Sequence, residues 1–408
     1  MKIKEVKARI ILDSRKEKTI EISVNNCKTS APAGKSKGKY ESPSYEPSIE
    51  NDFLFINNLK IDTEIEKFED LVKVEKTVKN KIGANTLFAL EASILKSLAK
   101  EQKKELWQLL NSKVQKFPRI LSNTIGGGAH SEGVKPDFQE FLIMCDKNPA
   151  EGKEQNLKSY YEAGEILENL GKKYGKNDEN AWQTTISNEQ VLEVMKDVQE
   201  NIFDESAVHM DVGLDMASSQ FYKNGKYLYL NEKKTLSRKE QIDYVAEIAN
   251  KFNLAYIEDP MDEEDFEGFA ELKKKTKCMI VGDDLTVTNL ERLKKAIKTG
   301  AISGMIIKPN QTGSLIEVKE VIDLCKKNKI FTIMSHRSGE TSDSTISDLA
   351  FAWGCDFIKT PVMGKERVVK VDRLVEIEKI LSKNFLILAL RGKASDRKKF
   401  EIRFKNPR

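Results

Sequence analysis

Six charged side chains stand at the ends of short apolar runs in the second half of this chain. Asp215 closes Met-Asp-Val-Gly-Leu, Glu258 closes Leu-Ala-Tyr-Ile, Asp283 and Asp284 follow Cys-Met-Ile-Val-Gly, Lys308 follows Gly-Met-Ile-Ile, and Lys359 follows Asp-Phe-Ile. Asp215, Glu258 and Asp283 offer only hard oxygen donors, which with waters suit an octahedral Mg2+, and no Cys-His cluster competes for zinc. A helix cap would account for any one of these acids. It accounts poorly for Asp283-Asp284 and Glu258-Asp259-Pro260 together, where charge is stacked beyond what a cap uses. Lys308, set beside such a cation and an apolar strand, is expected to have its pKa pushed down and to work as a base near neutrality.

Two further segments carry chemistry. Ser335-His336-Arg337-Ser338-Gly339-Glu340-Thr341 places a planar guanidinium, a hydroxyl and an imidazole just before a helical pattern. Arg337, Ser338 and the amides of a helix start suit a phosphate. Upstream, Gly126-Gly127-Gly128-Ala129-His130 reads as a loop, and Gln139-Glu140 begin the run Phe138 to Cys145. A carboxylate inside that apolar run is costly unless paired or coordinated.

These groups meet if the strands close into a ring of parallel strands, because the carboxyl ends then share one mouth. From Ala207 strand-like runs alternate with helices beginning near Ser237, Glu263, Asn289, Gly313, Ser342 and Lys365. That alternation is the pattern of β-α units on a parallel sheet. An open doubly wound sheet is the competing arrangement, and no Gly-x-Gly-x-x-Gly turn supports it. Earlier helices are expected near Glu64 to Lys81, Asn85 to Gln102, Glu154 to Tyr174 and Ser187 to Glu200, and strands over Ile3 to Leu12 and Thr19 to Val24. Residues 1–118 therefore read as an α+β domain ending at Phe117-Pro118, residues 119–383 as the barrel, and residues 384–408 as a basic tail.

The 408 residues are 39% hydrophobic and 32% charged, a balance of globular rather than disordered chains. The longest apolar run, Phe385 to Leu390, is too short to cross a membrane, and the start Met1-Lys2-Ile3-Lys4 lacks a secretory signal, so a cytoplasmic protein is expected. The net charge of +4 does not argue for a nucleic-acid partner. The basic run Arg391 to Arg408 reads as a solvated extension. Five cysteines without a close pair read as free thiols.

In this order the motifs resemble the enolase family: Leu12-Asp13-Ser14-Arg15, Gly127 to His130, Gln139-Glu140-Phe141, Asp215 to Ser219, Glu258-Asp259-Pro260, Gly282 to Asn289, Lys308 to Gly313, Ser335 to Thr341 and Ile358-Lys359-Thr360. The resemblance implies a modified (β/α)8, TIM-like barrel under an N-terminal α+β capping domain, an α/β protein. It implies the Mg2+-dependent dehydration of 2-phosphoglycerate to phosphoenolpyruvate, with two Mg2+ sites and a homodimer or higher homo-oligomer. Carried over by position, Asp215, Glu258 and Asp283 bind the first ion and Ser36 the second. Lys308 is the base, Lys359 and Gln139 meet the substrate, and Arg337 and Ser338 take the phosphate. Glu140 and Glu179 assist the departing hydroxide, with His130 and His336 nearby.

The chain departs from the family pattern in its loops. Gly-Asp-Glu-Gly-Gly is replaced by Asn177-Asp178-Glu179-Asn180-Ala181, and two lysines enter the loop Pro32-Ala33-Gly34-Lys35-Ser36-Lys37-Gly38. Loss of glycine freedom around Glu179 is expected to misplace it by about an ångström, which costs on the order of a hundredfold in rate. An enolase-like paralogue with weak or no dehydratase activity, acting as a binding or structural protein, is the alternative these loops raise. Another superfamily reaction is disfavoured because the early strand carries Gln139-Glu140 and not Lys-x-Lys.

Overall fold

The computed structural model describes residues 1–35, 38–114, 116–131 and 133–391, with backbone alone from residue 384. Ser36 and residues 392–408 of the basic tail lie outside the described residues. The chain opens with an antiparallel sheet of β1 (Val6–Leu12), β2 (Lys18–Val24) and β3 (Cys27–Ser30), in that order. Four helices follow: α1 (Ile49–Asn57), α2 (Leu71–Val78), α3 (Ala84–Glu101) and α4 (Leu106–Asn111). α3 lies against the sheet, and its Ser93 hydroxyl donates to the Ile22 carbonyl at 2.8 Å. The helix expected from Glu64 starts later, because Glu64 bridges to Lys2 and the Asp70 carboxylate accepts from the Glu66 and Lys67 amides at 2.8 and 3.2 Å. Sequence reading passed over α1 and α4, each too short for a sustained periodic pattern.

A second unit begins with β4 (Arg119–Gly126), β5 (Glu140–Cys145), α5 (Pro149–Asn169), the short β6 (Trp182–Gln183) and α6 (Asn188–Ser206). After β7 (Met210–Asp215) comes a small antiparallel sheet of β8 (Tyr222–Lys223), β9 (Lys226–Tyr229) and β10 (Lys234–Ser237). Regular alternation then runs α7 (Arg238–Lys251), β11 (Tyr256–Glu258), α8 (Phe266–Lys275), β12 (Met279–Gly282), α9 (Leu290–Thr299) and β13 (Gly304–Ile307). It ends with α10 (Leu315–Lys327), β14 (Phe331–Ser335), α11 (Thr345–Ala352), β15 (Phe357–Lys359) and α12 (Lys365–Arg391). The strands close in the order β4-β5-β7-β11-β12-β13-β14-β15 and back to β4.

The ring is not wholly parallel, which corrects the sequence expectation. β5 runs antiparallel to both β4 and β7. It follows β4 through a loop without a crossover helix, and only an antiparallel neighbour is reached that way. Its first residue, Glu140, therefore pairs with Gly126 and Asp215 at the carboxyl ends of the flanking strands.

The barrel interior is a plug of Leu121, Leu142, Met144, Tyr256, Val281, Ile306, Ile333 and Phe357, separate from the larger core between strands and helices. Side chains two apart on a strand share a face. Two residues from the plug, toward one mouth, stand Asn123, Glu140, Glu258, Asp283, Lys308, Ser335 and Lys359. On β7 the plug position is Gly213, where a Cβ would lie 2.9 Å from that of Tyr256, and two residues on is Asp215. The apolar layer thus specifies the polar layer above it.

The N-terminal unit reaches this same mouth. Ala33 and Gly339 exchange backbone hydrogen bonds of 2.7 and 2.8 Å, and the Asn310 amide donates to the Pro32 carbonyl at 3.0 Å and to Asn85 at 2.8 Å. No helix among the described residues is long and apolar enough to cross a membrane. The five cysteines are free thiols.

Ile333 is fully buried within the plug. Ile333→Ala is expected to lower unfolding stability by about 2–5 kcal/mol. Urea titration should show a lower midpoint with an unchanged slope; an unchanged midpoint would mean that the plug does not carry the barrel.

Candidate active site

The mouth is built around the ammonium of Lys359. Its Nζ lies 2.6 Å from Glu140 Oε2, 2.8 Å from Asp215 Oδ2 and 2.8 Å from Glu258 Oε2. All four groups are buried. Burial opposes the charge on Lys359, but Asp215, Glu140 and Glu258 outweigh it and hold the amine well above its ordinary pKa. One ammonium does not satisfy three carboxylates. Burial, with the mutual repulsion of the acids, leaves Asp215 raised and Glu258 raised well above the usual carboxylate range. Gln139 Nε2 donates to Asp215 Oδ2 at 3.3 Å, and the Tyr256 hydroxyl donates to Glu258 Oε2 at 2.6 Å.

Asp283 and Lys308 form the second centre, in direct contact through Oδ2 and Nζ. Burial alone would lower the Lys308 pKa, as expected from sequence. The Asp283 carboxylate wins, however, and the net direction is upward. Asp283 is correspondingly lowered, the Lys308 ammonium overcoming burial. In this arrangement the contact with Asp283 therefore sets the direction for Lys308. The Asp283-Asp284 turn is held by Asp259, whose two carboxylate oxygens accept from the Asp283 and Asp284 amides at 2.9 and 2.7 Å.

A third group faces these from β5, the loop before β6 and the turn after β14. Glu140, Glu179 and His336 each bring one polar atom within 4.8 Å of the others. Asn123 Nδ2 donates to Glu140 Oε1 at 3.0 Å and to Glu179 Oε2 at 3.5 Å. His336 Nε2 is 3.8 Å from Glu179 Oε2, and His130 Nδ1 is 3.8 Å from Glu179 Oε1 and 3.1 Å from Asp178 Oδ1. The pair divides its charge. Burial raises Glu140, whereas Glu179 is lowered because His130 and the hydrogen bond with Glu140 overcome the effect of burial. Of the two, Glu140 is thus held as the weaker acid.

The altered loop keeps Glu179 in the cavity wall. Asn180 takes the positive φ, at 66°, that a glycine would otherwise take, and Glu179 remains buried against the cavity. Asparagine tolerates this region better than most residues. Lys35, one of the added lysines, pairs with Asp178 at 3.2 Å, and its amide donates to Ser338 Oγ at 2.8 Å. Ser338 Oγ also accepts from Arg15 at 3.2 Å. Arg337 Nη2 donates to both Glu41 carboxylate oxygens, at 2.9 and 3.0 Å.

Together these residues line a tight polar cavity of about 40 Å3, with His130, Gln139, Glu140, Glu179, Asp215, Asp283, Lys308, His336, Arg337, Ser338 and Lys359 in its wall. The structure thus brings every described candidate to one mouth, with Glu258 beneath. Sequence reasoning missed Asn123, Glu41 and the bracing role of Asp259. Asn123 stands between Ser122 and Thr124 in the run Ile120 to Ile125, so nothing singled it out, and Glu41 lies in a Lys- and Ser-rich stretch with no pattern.

The two cavity histidines are held in opposite states. Burial works against a charge on His130, but Glu179 and Asp178 raise its pKa from 6.5 to about 9. His336 is driven well below 6.5 by burial and Arg367. Nitrogen-detected NMR should find His130 charged and His336 neutral at pH 7.5. The raised value means stability that is full below about pH 6.5 and lost as pH rises through about 9, a dependence missing from His130→Gln. A neutral His130 at pH 7.5 would contradict this charge arrangement.

Comparison with known proteins bears on the same cavity. A family model described as "Enolase, C-terminal TIM barrel domain" matches residues 114–394. The chain is 36% identical over 401 residues to the enolase of Archaeoglobus fulgidus, covering 95% of this chain and 100% of that one. It is 38% identical over 396 residues to the enolase of Methanocorpusculum labreanum, covering 92% and 98% of the two chains. With the enolase of Methanosphaera stadtmanae the identity is 36% over 403 residues, 93% of this chain and 97% of the other. An eight-stranded barrel with one reversed strand, acids and lysines around its mouth, and similarity along almost the whole chain have one common explanation: the chain belongs to the enolase family of lyases.

Proposed function

We propose that this cavity converts 2-phospho-D-glycerate reversibly into phosphoenolpyruvate and water, the phosphopyruvate hydratase step of glycolysis and gluconeogenesis. The observation that carries the proposal is the placing of base and acid. Lys308 follows β13 and Glu140 begins β5, four strands apart in a ring of eight and so across the mouth from each other. Removing a proton from one face of a substrate and hydroxide from the other uses that arrangement.

The donor set fits a hard divalent cation. Asp215, Glu258 and Asp283 present oxygen alone, and the raised values of Asp215 and Glu258 mark negative charge that Lys359 leaves uncompensated. Mg2+ held there, with a second ion at Ser36, would supply positive charge to the substrate carboxylate and to the dianion formed on loss of the C2 proton. Lys308 takes that proton. Its basicity depends on Asp283, because burial lowers the amine's pKa once that carboxylate's charge is engaged elsewhere. Lys359 and Gln139 orient the carboxylate end. Arg337 and Ser338 hold the phosphate, Arg337 exchanging Glu41 for it. Glu140 carries the proton that meets the departing hydroxide, while Glu179, His130 and His336 set its charge state.

The reading of an inactive binding paralogue draws no support from the loop that suggested it, since Asn180 adopts the needed backbone and Glu179 stays in the cavity. Residues 1–118 serve as the cap over the 119–383 barrel, with 384–408 as a basic tail. The protein works in the cytoplasm as a homodimer or larger homo-oligomer, a mass that light scattering measures.

Purified protein with Mg2+ and 2-phosphoglycerate should generate the ultraviolet absorbance of phosphoenolpyruvate. Lys308→Ala is expected to lower turnover by about 10²–10⁴-fold while Mg2+ binding persists. Asp283→Ala is expected to lose both. No product from the unsubstituted protein at high concentration would overturn the reaction, and near-normal turnover by Lys308→Ala would overturn the base.

A further inference from the structure

We infer that Asn177 is a positioning residue for Glu179, replacing with a side chain the loop control that the family pattern assigns to glycine. The inference rests on the dehydration reading and adds to it how this chain holds its acid pair.

Asn177 is 8% exposed, and its Oδ1 accepts from the Glu179 amide at 3.0 Å and from the Ala181 amide at 2.9 Å. One side-chain oxygen thereby fixes the peptide of the acid itself and the peptide two residues later. The backbone closes the same turn: Asn177 N donates to Ala181 O at 2.9 Å, and Asn180 N to Asn177 O at 3.0 Å. The Tyr160 hydroxyl donates to the Asn180 carbonyl at 2.7 Å, and Arg367 to the Asp178 carbonyl at 3.3 Å. Asp178 itself is flanked by His130 and Lys35.

The surroundings are shaped for this side chain. A Cβ added at Gly126, the last residue of β4, would lie 2.2 Å from Asn177 Nδ2. At Gly364 a Cβ would meet Asn180 Nδ2 at 2.5 Å. Room for both asparagines is thus made by neighbouring glycines. Loss of Oδ1 would leave two buried amides without their acceptor, and the turn would relax to find water for them.

The chemical consequence is selective. In the proposed reaction the C2–H bond breaks with its proton passing to Lys308, the C2–C3 double bond forms, the C3–O bond breaks, and the departing oxygen takes the Glu140 proton to leave as water. Asn177 acts only on the last part, through Glu179. Lys308 stands across the barrel and is untouched.

The test follows two rates in heavy water with 2-phosphoglycerate and Mg2+: deuterium entering C2, read by NMR, and phosphoenolpyruvate formation. Asn177→Ala is expected to lower dehydration about 10–100-fold, the cost of a small misplacement, with C2 exchange unchanged within about twofold. Asn177→Asp keeps the acceptor and is expected to recover most of the rate, with the alkaline limb of its pH profile moved upward by the added negative charge. Gly126→Ala should reproduce the split by crowding the same amide, and the double variant Gly126→Ala/Asn177→Ala should be no worse than either single one. Unchanged dehydration in Asn177→Ala overturns the inference. So does an equal fall in both rates, the mark of general structural damage. A parent protein that shows neither exchange nor product overturns the dehydration reading instead, and this role with it.

Discussion

Three carboxylates buried around one ammonium set the terms for the rest of this molecule. Glu140, Asp215 and Glu258 reach Lys359 from β5, β7 and β11, so the contact crosses the barrel and fastens its strands at the mouth. Buried charges are tolerated only when compensated, and removing one partner of such a set strands the others. Here compensation is incomplete, because all three acids remain raised. A site so poised has affinity for further positive charge built into its fold.

The means of concentrating charge is the pleat of a strand. Beneath each polar group at the mouth lies an apolar one two residues away, and the plug keeps water from reaching the charges from below. Reversal of β5 is the one departure from a uniform ring, and it has a functional result. The reversed strand delivers a residue from its amino end, Glu140, between Gly126 and Asp215 at the carboxyl ends of β4 and β7. Glu140 and Lys308 are thereby separated across the opening while sharing one cavity.

Much of this was legible because a charged residue ending an apolar run is visible in a single chain, and a barrel sends all such ends to one face. Asp215, Glu258, Asp283, Lys308 and Lys359 could be read that way. The direction of β5 could not, since the residues of a buried strand look the same in either sense. Nor could the state of Lys308, which depends on Asp283 arriving from a different strand, or the partner of Arg337, which arrives from the N-terminal unit as Glu41. The loop at 177–181 shows a different limit. Missing glycines were read as lost freedom, whereas Asn180 takes the left-handed backbone and Asn177 adds hydrogen bonds that glycine lacks.

Calorimetry of Mg2+ binding, repeated in buffers of different ionisation enthalpy, tests the under-compensated charge at the centre of this account. Asp215 and Glu258 hold protons more tightly than ordinary carboxylates, so the ion should bind with proton release and an observed enthalpy that changes with the buffer. Binding with the same enthalpy in every buffer, or no binding, would contradict it.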